Sequence, residues 1–176
     1  MLATSAYLIV FRIVHVLASI AWGGAVFLFV IYVQPSVAAL GPAGAPFLRE
    51  LLVRRRMTDG IVAMAATSIV SGAFLYWHDW QATGSLGDWV GSTYGLWLTI
   101  GAVAAIIALL IGLLVTRPNA RKMMALGARI AESGGEPTRE QGAEMGATQS
   151  RLKLAARASL GLIGVAAIAM ATARYW

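Results

Sequence analysis

Along the chain, long apolar runs alternate with polar connections. The apolar runs cover 6–33, 60–76, 94–115 and 158–173. Each is near the ~20 residues that an α-helix needs to cross ~30 Å of hydrocarbon, and the second is the shortest. Small residues recur four apart within them: Ser19 and Gly23; Ala63, Thr67 and Ser71; Ala104, Ala108 and Gly112; Ala155 and Ser159, then Ala167 and Ala171. Such ridges let helix backbones approach closely and predict one tight bundle rather than four tethered spans.

The two larger connections read differently. Residues 34–58 contain Pro35, Gly41, Pro42, Gly44 and Pro46, which predicts that the first helix ends without a long extension and that a short interfacial helix follows over 47–57. Residues 119–132 keep a helical composition after the third run, stop at Ser133-Gly134-Gly135, and restart at Thr138 with Gln141 in capping-box spacing. This predicts a helical hairpin extending the third and fourth helices, with a kink at Pro118. The fold expected is all-α: one four-helix bundle over 1–176, with a cytoplasmic hairpin between helices three and four.

Composition decides the solvent. With 59% hydrophobic and 12% charged residues, the chain carries more apolar surface than a soluble domain of its length hides in one core, so the partner expected first is a lipid bilayer. The net charge of +6 does not point to nucleic acid, because the basic residues partition by connection. Arg49, Arg54, Arg55 and Arg56 lie in the first; Arg117, Arg121, Lys122, Arg129, Arg139, Arg151, Lys153 and Arg157 lie in the last, making twelve of the fourteen. The connection over 79–93 has Asp79 and Asp88 and no cation. The positive-inside bias places that connection and both chain ends outside, in a bacterial inner (cytoplasmic) membrane. Tyr7, Trp77, Trp80, Trp89, Tyr94, Trp97, Tyr175 and Trp176 all fall at the expected outer ends, where aromatic rings favour the interface. The first apolar run lacks a basic leader and is too long for a signal-peptide core, which predicts a retained helix. The absence of cysteine excludes disulfides, iron–sulfur clusters and thiolate metal sites.

Candidate chemistry centres on His15. It lies eight residues beyond Tyr7, ~12 Å beneath the outer belt, and an ionisable group at that depth is a functional candidate. Arg12, His15, Ser19 and Trp22 are spaced by three, four and three residues, so they share a helix face expected to point into the bundle. One reading makes the His15 imidazole a ligand for a metal or haem iron, with Arg12 balancing a propionate. The other makes His15 a hydrogen-bonded structural residue and lets Arg12 snorkel to the outer surface. His78, between Trp77 and Asp79 at the outer boundary, lies about 10 Å from the depth of His15 on an ideal-helix count, which disfavours ligation of one iron by both. There is no glycine-rich phosphate loop, no HExxH and no pair of intramembrane carboxylates. Met57, Met123 and Met124 cluster with neither histidine, which argues against a methionine copper path.

The run His15-Val-Leu-Ala-Ser-Ile-Ala-Trp22-Gly23-Gly24-Ala-Val-Phe27 resembles the first helix of two related groups, the bacterial membrane protoporphyrinogen IX oxidases and the copper-resistance protein D-like integral membrane proteins. The similarity extends through Arg54-Arg55-Arg56, the Ser71-Gly72 pair, a tryptophan-led third helix and Arg121-Lys122. It implies a four-helix membrane protein that binds haem b, with His15 in place of the family's first-helix histidine. The basic residue that the oxidases carry early in their third helix has no counterpart in Tyr94-Gly-Leu-Trp97-Leu-Thr, so the resemblance implies haem binding without implying protoporphyrinogen oxidation.

The function expected is therefore a haem b-associated redox or electron-transfer membrane protein, with His15 as the iron ligand and Arg12, Ser19 and Trp22 around the cofactor. A different class of reading is a non-catalytic accessory subunit, whose partners are other membrane proteins or further copies of the chain. Copper or small-solute permeation is a third, for which the sequence supplies few polar groups.

Overall fold

A computed structural model describes residues 2–175. Among them every regular element is helical, and four helical stretches are long and apolar enough to cross a membrane. In chain order the elements are α1 (Leu2–Leu28), α2 (Gln34–Leu40), α3 (Gly44–Arg49), α4 (Met57–Gln81), α5 (Leu86–Gly91), α6 (Thr93–Ile111), α7 (Arg117–Glu132) and α8 (Arg139–Thr172). α1 packs along α4 and α6 along α8, while thinner contacts between α4 and α6 and between α1 and α8 close the ring. Trp22, Ala65 and Ala108 meet in its core, with Val26, Ile61, Ile69 and Leu162 around them.

The first connection departs from the sequence expectation. Helix continues past Pro35 as far as Leu40, because a π-helical turn over Phe29–Val33 joins α1 to α2. A proline lacks the N–H of the regular ladder and its ring crowds the carbonyl four residues back; widening the preceding turn relieves both problems without ending the helix. Pro118 is treated the same way: a π-helical turn over Gly112–Thr116 joins α6 to α7. A third π-helical turn, Glu50–Arg54, replaces part of the simple helix expected over 47–57.

The hairpin forms where its signals lie. α7 ends at Glu132 with Ser133 as its C-cap, Gly134 and Gly135 adopt φ of 107° and 86°, and the Gly135 N–H donates to the Ile130 carbonyl at 2.9 Å. Those left-handed angles and that reach-back bond are the glycine-terminated helix end that the sequence suggests. The Thr138–Gln141 capping box then starts α8. Leu126 and Ile130 of α7 and Thr148 of α8 are buried, and Lys122 Nζ pairs with Glu144 at 2.8 Å.

Small residues do line the helix contacts, in a partly different phase from the expected ridges. Ala104, Ala108, Ala155 and Ser159 are buried as expected. On α4 the buried set is Ala65, Ser68 and Ser71, while Ala63 and Thr67 are exposed; on α8 it continues through Ala166, Ala169 and Ala173, while Ala167 and Ala171 are exposed. Both helices carry more than one small-residue row, and only packing chooses between them.

The aromatic end also holds a correction. Trp89 is 3% exposed rather than a ring in an open belt. It stacks edge-on with Tyr76 at 5.5 Å and Tyr94 at 5.6 Å, and its carbonyl lies where a Cβ on Gly95 would be, so α5 caps the bundle only because residue 95 is glycine. Tyr7, Trp77, Tyr94 and Tyr175 are exposed and Trp80 and Trp97 half-buried; Trp176 lies outside the described residues.

Candidate functional site

The polar residues of α1 meet α4 along one line. Phe11 packs edge-on against Phe74 with centroids 4.8 Å apart. One turn deeper, the His15 Nδ1–H donates to the Ser68 main-chain carbonyl at 2.8 Å. A carbonyl only accepts, so the proton of this bond is on Nδ1, and in the neutral ring Nε2 then carries a lone pair. Nε2 makes no hydrogen bond among the described residues.

The neighbours fix this arrangement. The Ser19 and Ser68 hydroxyls are 2.6 Å apart, and Ser71 Oγ donates to the carbonyls of Thr67 at 2.6 Å and Ser68 at 3.0 Å. The ring lies against Gly72, where an added Cβ would come within 2.8 Å of Cε1 and 2.9 Å of Nδ1. Any larger residue would displace the imidazole. Below the serines, Trp22 is buried on the core cluster.

Of the four residues expected to share an inward face, His15, Ser19 and Trp22 do so, and Arg12 does not. Arg12 is exposed, on the side of α1 where its charge acts on the Tyr94 hydroxyl together with those of Asp79 and Arg174. One turn from His15, an arginine stem is long enough to lie along apolar surface with its head in water. His78 stays apart from His15: it lies six residues beyond Gly72, roughly 9 Å along the helix, and its Nδ1 is 3.3 Å from Asp79 Oδ1. No group of three or more potential metal-binding side chains forms among the described residues.

Beside the α1/α4 line runs an open, mostly apolar groove of about 330 Å³, lined by Phe11, Val14, Ala66, Thr67, Val70 and Ser71. His15 is not among the residues that line this groove; a neutral imidazole whose tautomer is set by a carbonyl has the donor chemistry of a metal ligand. The groove is a surface feature and not an enclosed chamber. Sequence reading finds His15, Ser19 and the Ser71-Gly72 pair, but not Ser68 as the partner of both nor Gly72 as the seat of the imidazole. No family model matches the chain, and no curated protein or solved structure matches it either.

Proposed function

We propose that this chain is a multi-pass protein of a bacterial cytoplasmic membrane that binds haem b through His15 and serves in electron transfer. The observation that carries the reading is the bond from His15 Nδ1–H to the Ser68 carbonyl, with Nε2 left without a hydrogen bond among the described residues. A hydrogen bond of this kind orients a ligating histidine and raises its basicity. A purely structural histidine at that depth would gain by satisfying both nitrogens, since an unpaired polar atom in an apolar medium is costly.

In this reading His15 holds the iron, the Ser68 carbonyl sets the ring, and Gly72 leaves room for it. Arg12, exposed one turn away, is the cation available to a propionate. The bound group supplies one-electron transfer. The likeness of the His15–Phe27 run to the first helix of the copper-resistance protein D-like and protoporphyrinogen oxidase proteins supports the same ligand.

The charge pattern supports the orientation. The segment around Arg54–Arg56 and the α7/α8 hairpin lie at one end of the bundle, tied by the Arg117–Asp59 ion pair, and that end is the cytoplasmic one by its excess of cations. Adding haemin to the purified protein tests the function. A Soret band that His15→Ala abolishes and His78→Ala leaves intact is expected; folded protein that develops no such band refutes the assignment.

A further inference from the structure

The two helix pairs of the bundle resemble each other. The π-helical turn Phe29–Val33 is followed by Gln34-Pro35 and more helix, and the π-helical turn Gly112–Thr116 by Arg117-Pro118 and more helix. Aligned on these prolines, Ala18 falls on Gly101, both buried, and Trp22 and Val26 fall on Ala105 and Leu109. The returning helices match as well. Gly60-Ile-Val-Ala-Met-Ala65-Ala pairs with Gly161-Leu-Ile-Gly-Val-Ala166-Ala, which sets the buried Ala65 and Ser68 on the buried Ala166 and Ala169.

Packing carries the same relation. Helices rich in small residues match at many offsets, but the prolines fix this one, and the core then agrees with it independently. The central cluster gathers matched positions from both pairs: Trp22 with Ala105, Val26 with Leu109 and Ile61 with Leu162. Equivalent residues that gather in one cluster place a pseudo-two-fold axis through it and along the helices, the arrangement of a parallel repeat.

On this match His15, Ser68 and Gly72 fall on Leu98, Ala169 and Ala173. Leu98 is half-buried, as His15 is. The register of α6 on α8 agrees, because a Cβ on Gly101, one turn from Leu98, would meet the Ala166 carbonyl at 3.2 Å. In the first pair the imidazole needs a carbonyl for its Nδ1–H and no Cβ at residue 72. The second pair keeps the carbonyl, that of Ala169, which has a lone pair to spare beyond its helical bond. It lacks the space, since the Ala173 methyl group is there and the residue is 1% exposed. We infer that the bundle is a tandem repeat of one helix pair, and that α6 and α8 hold a closed counterpart of the histidine seat, shut by Leu98 and Ala173. The architecture thus has places for two imidazole ligands and the sequence fills one. What such a ligand would hold rests on the haem reading above; the repeat and the second seat do not.

Leu98→His, Ala173→Gly and the double variant form a cycle that unfolding in detergent measures. The double variant should be more stable than the two single changes predict, by roughly ten-fold in the folding equilibrium, because glycine removes the overpacking of ring on methyl group. Leu96→His with Ala173→Gly is the control: Leu96 is exposed, on the opposite side of α6 from Leu98, and should show no coupling. Nitrogen-15 spectra of the histidine-labelled double variant should contain a second hydrogen-bonded Nδ1–H ring beside that of His15, and adding His15→Ala should leave it in place. The reverse exchange, His15→Leu with Gly72→Ala, gives the first pair the residues of the second and should be more stable than Gly72→Ala alone. Additive effects in the Leu98→His cycle, absence of the second Nδ1–H ring, or failure of Leu98→His/Ala173→Gly to fold while the reverse exchange folds would each overturn the inference. A second seat that forms in a protein whose wild type takes up no haem would sink the haem reading and leave the repeat standing.

Discussion

Gly72→Ala puts the His15 arrangement under direct strain. The added methyl group would stand 2.8 Å from Cε1 and 2.9 Å from Nδ1 of the imidazole, well inside contact distance, and the ring is too rigid to yield by bending. Displacing the ring costs roughly 1–3 kcal/mol in overpacking. It also breaks the Nδ1–H bond to the Ser68 carbonyl, which is worth about 0.5–1.5 kcal/mol. Alanine returns about 0.8–1.0 kcal/mol in helix propensity over glycine. The balance is a loss of roughly 0.5–3.7 kcal/mol. Gly161→Ala is the control, because its added methyl group meets nothing within 4 Å and only the propensity gain remains. Unfolding both variants in detergent measures the difference, and haem retention in the same samples reports the geometry at Nε2. Gly72→Ala as stable and as haem-competent as Gly161→Ala would refute the claim that residue 72 must be glycine to seat the histidine.

Other outcomes follow from the two ends of the bundle. Trp89 is buried with an unpartnered Nε1, so Trp89→Phe should cost under about 1.5 kcal/mol while Trp89→Ala should cost about 3–5 kcal/mol in thermal or denaturant unfolding. The hydrogen bond and charge of Lys122 hold the Glu144 carboxyl below its ordinary range. The contact between α7 and α8 should thus keep its full strength above the usual carboxylate range and weaken as pH falls through the lowered value. Hydrogen exchange across α7 should show that loss of protection, and Glu144→Gln should remove its pH dependence. Cysteines placed at Ser85 and Ser133 should label from opposite sides of intact cells, Ser85 from outside, and labelling of Ser133 by an impermeant reagent would reverse the orientation.

Much of the fold was legible because its signals are local. The four apolar runs, the Gly134-Gly135 stop and the Thr138–Gln141 box each specify an element without reference to the rest of the chain. Pro35 misled because a proline normally ends a helix, and the π-helical turn that absorbs it has no sequence signature as plain as the proline itself. Trp89 misled for a different reason. Its burial depends on Gly95 and Tyr76, and an aromatic residue near an expected interface gives no sign of such a partnership. At the candidate site, helical spacing put His15, Ser19 and Trp22 on one face, but Ser68 and Gly72 enter only once the register between α1 and α4 is known. Arg12 stays exposed and outside that line.

Imidazole rescue tests the central claim most directly, because it separates iron ligation from packing. His15→Gly removes the side chain and leaves space beside Gly72 and the Ser68 carbonyl. If His15 is the haem ligand, His15→Gly should lose the Soret band of the wild type and regain it when free imidazole is added, while His78→Gly should keep its band throughout. A wild-type Soret band that persists unchanged in His15→Gly without imidazole, or wild-type protein that takes up no haem when haem is abundant, would contradict the account.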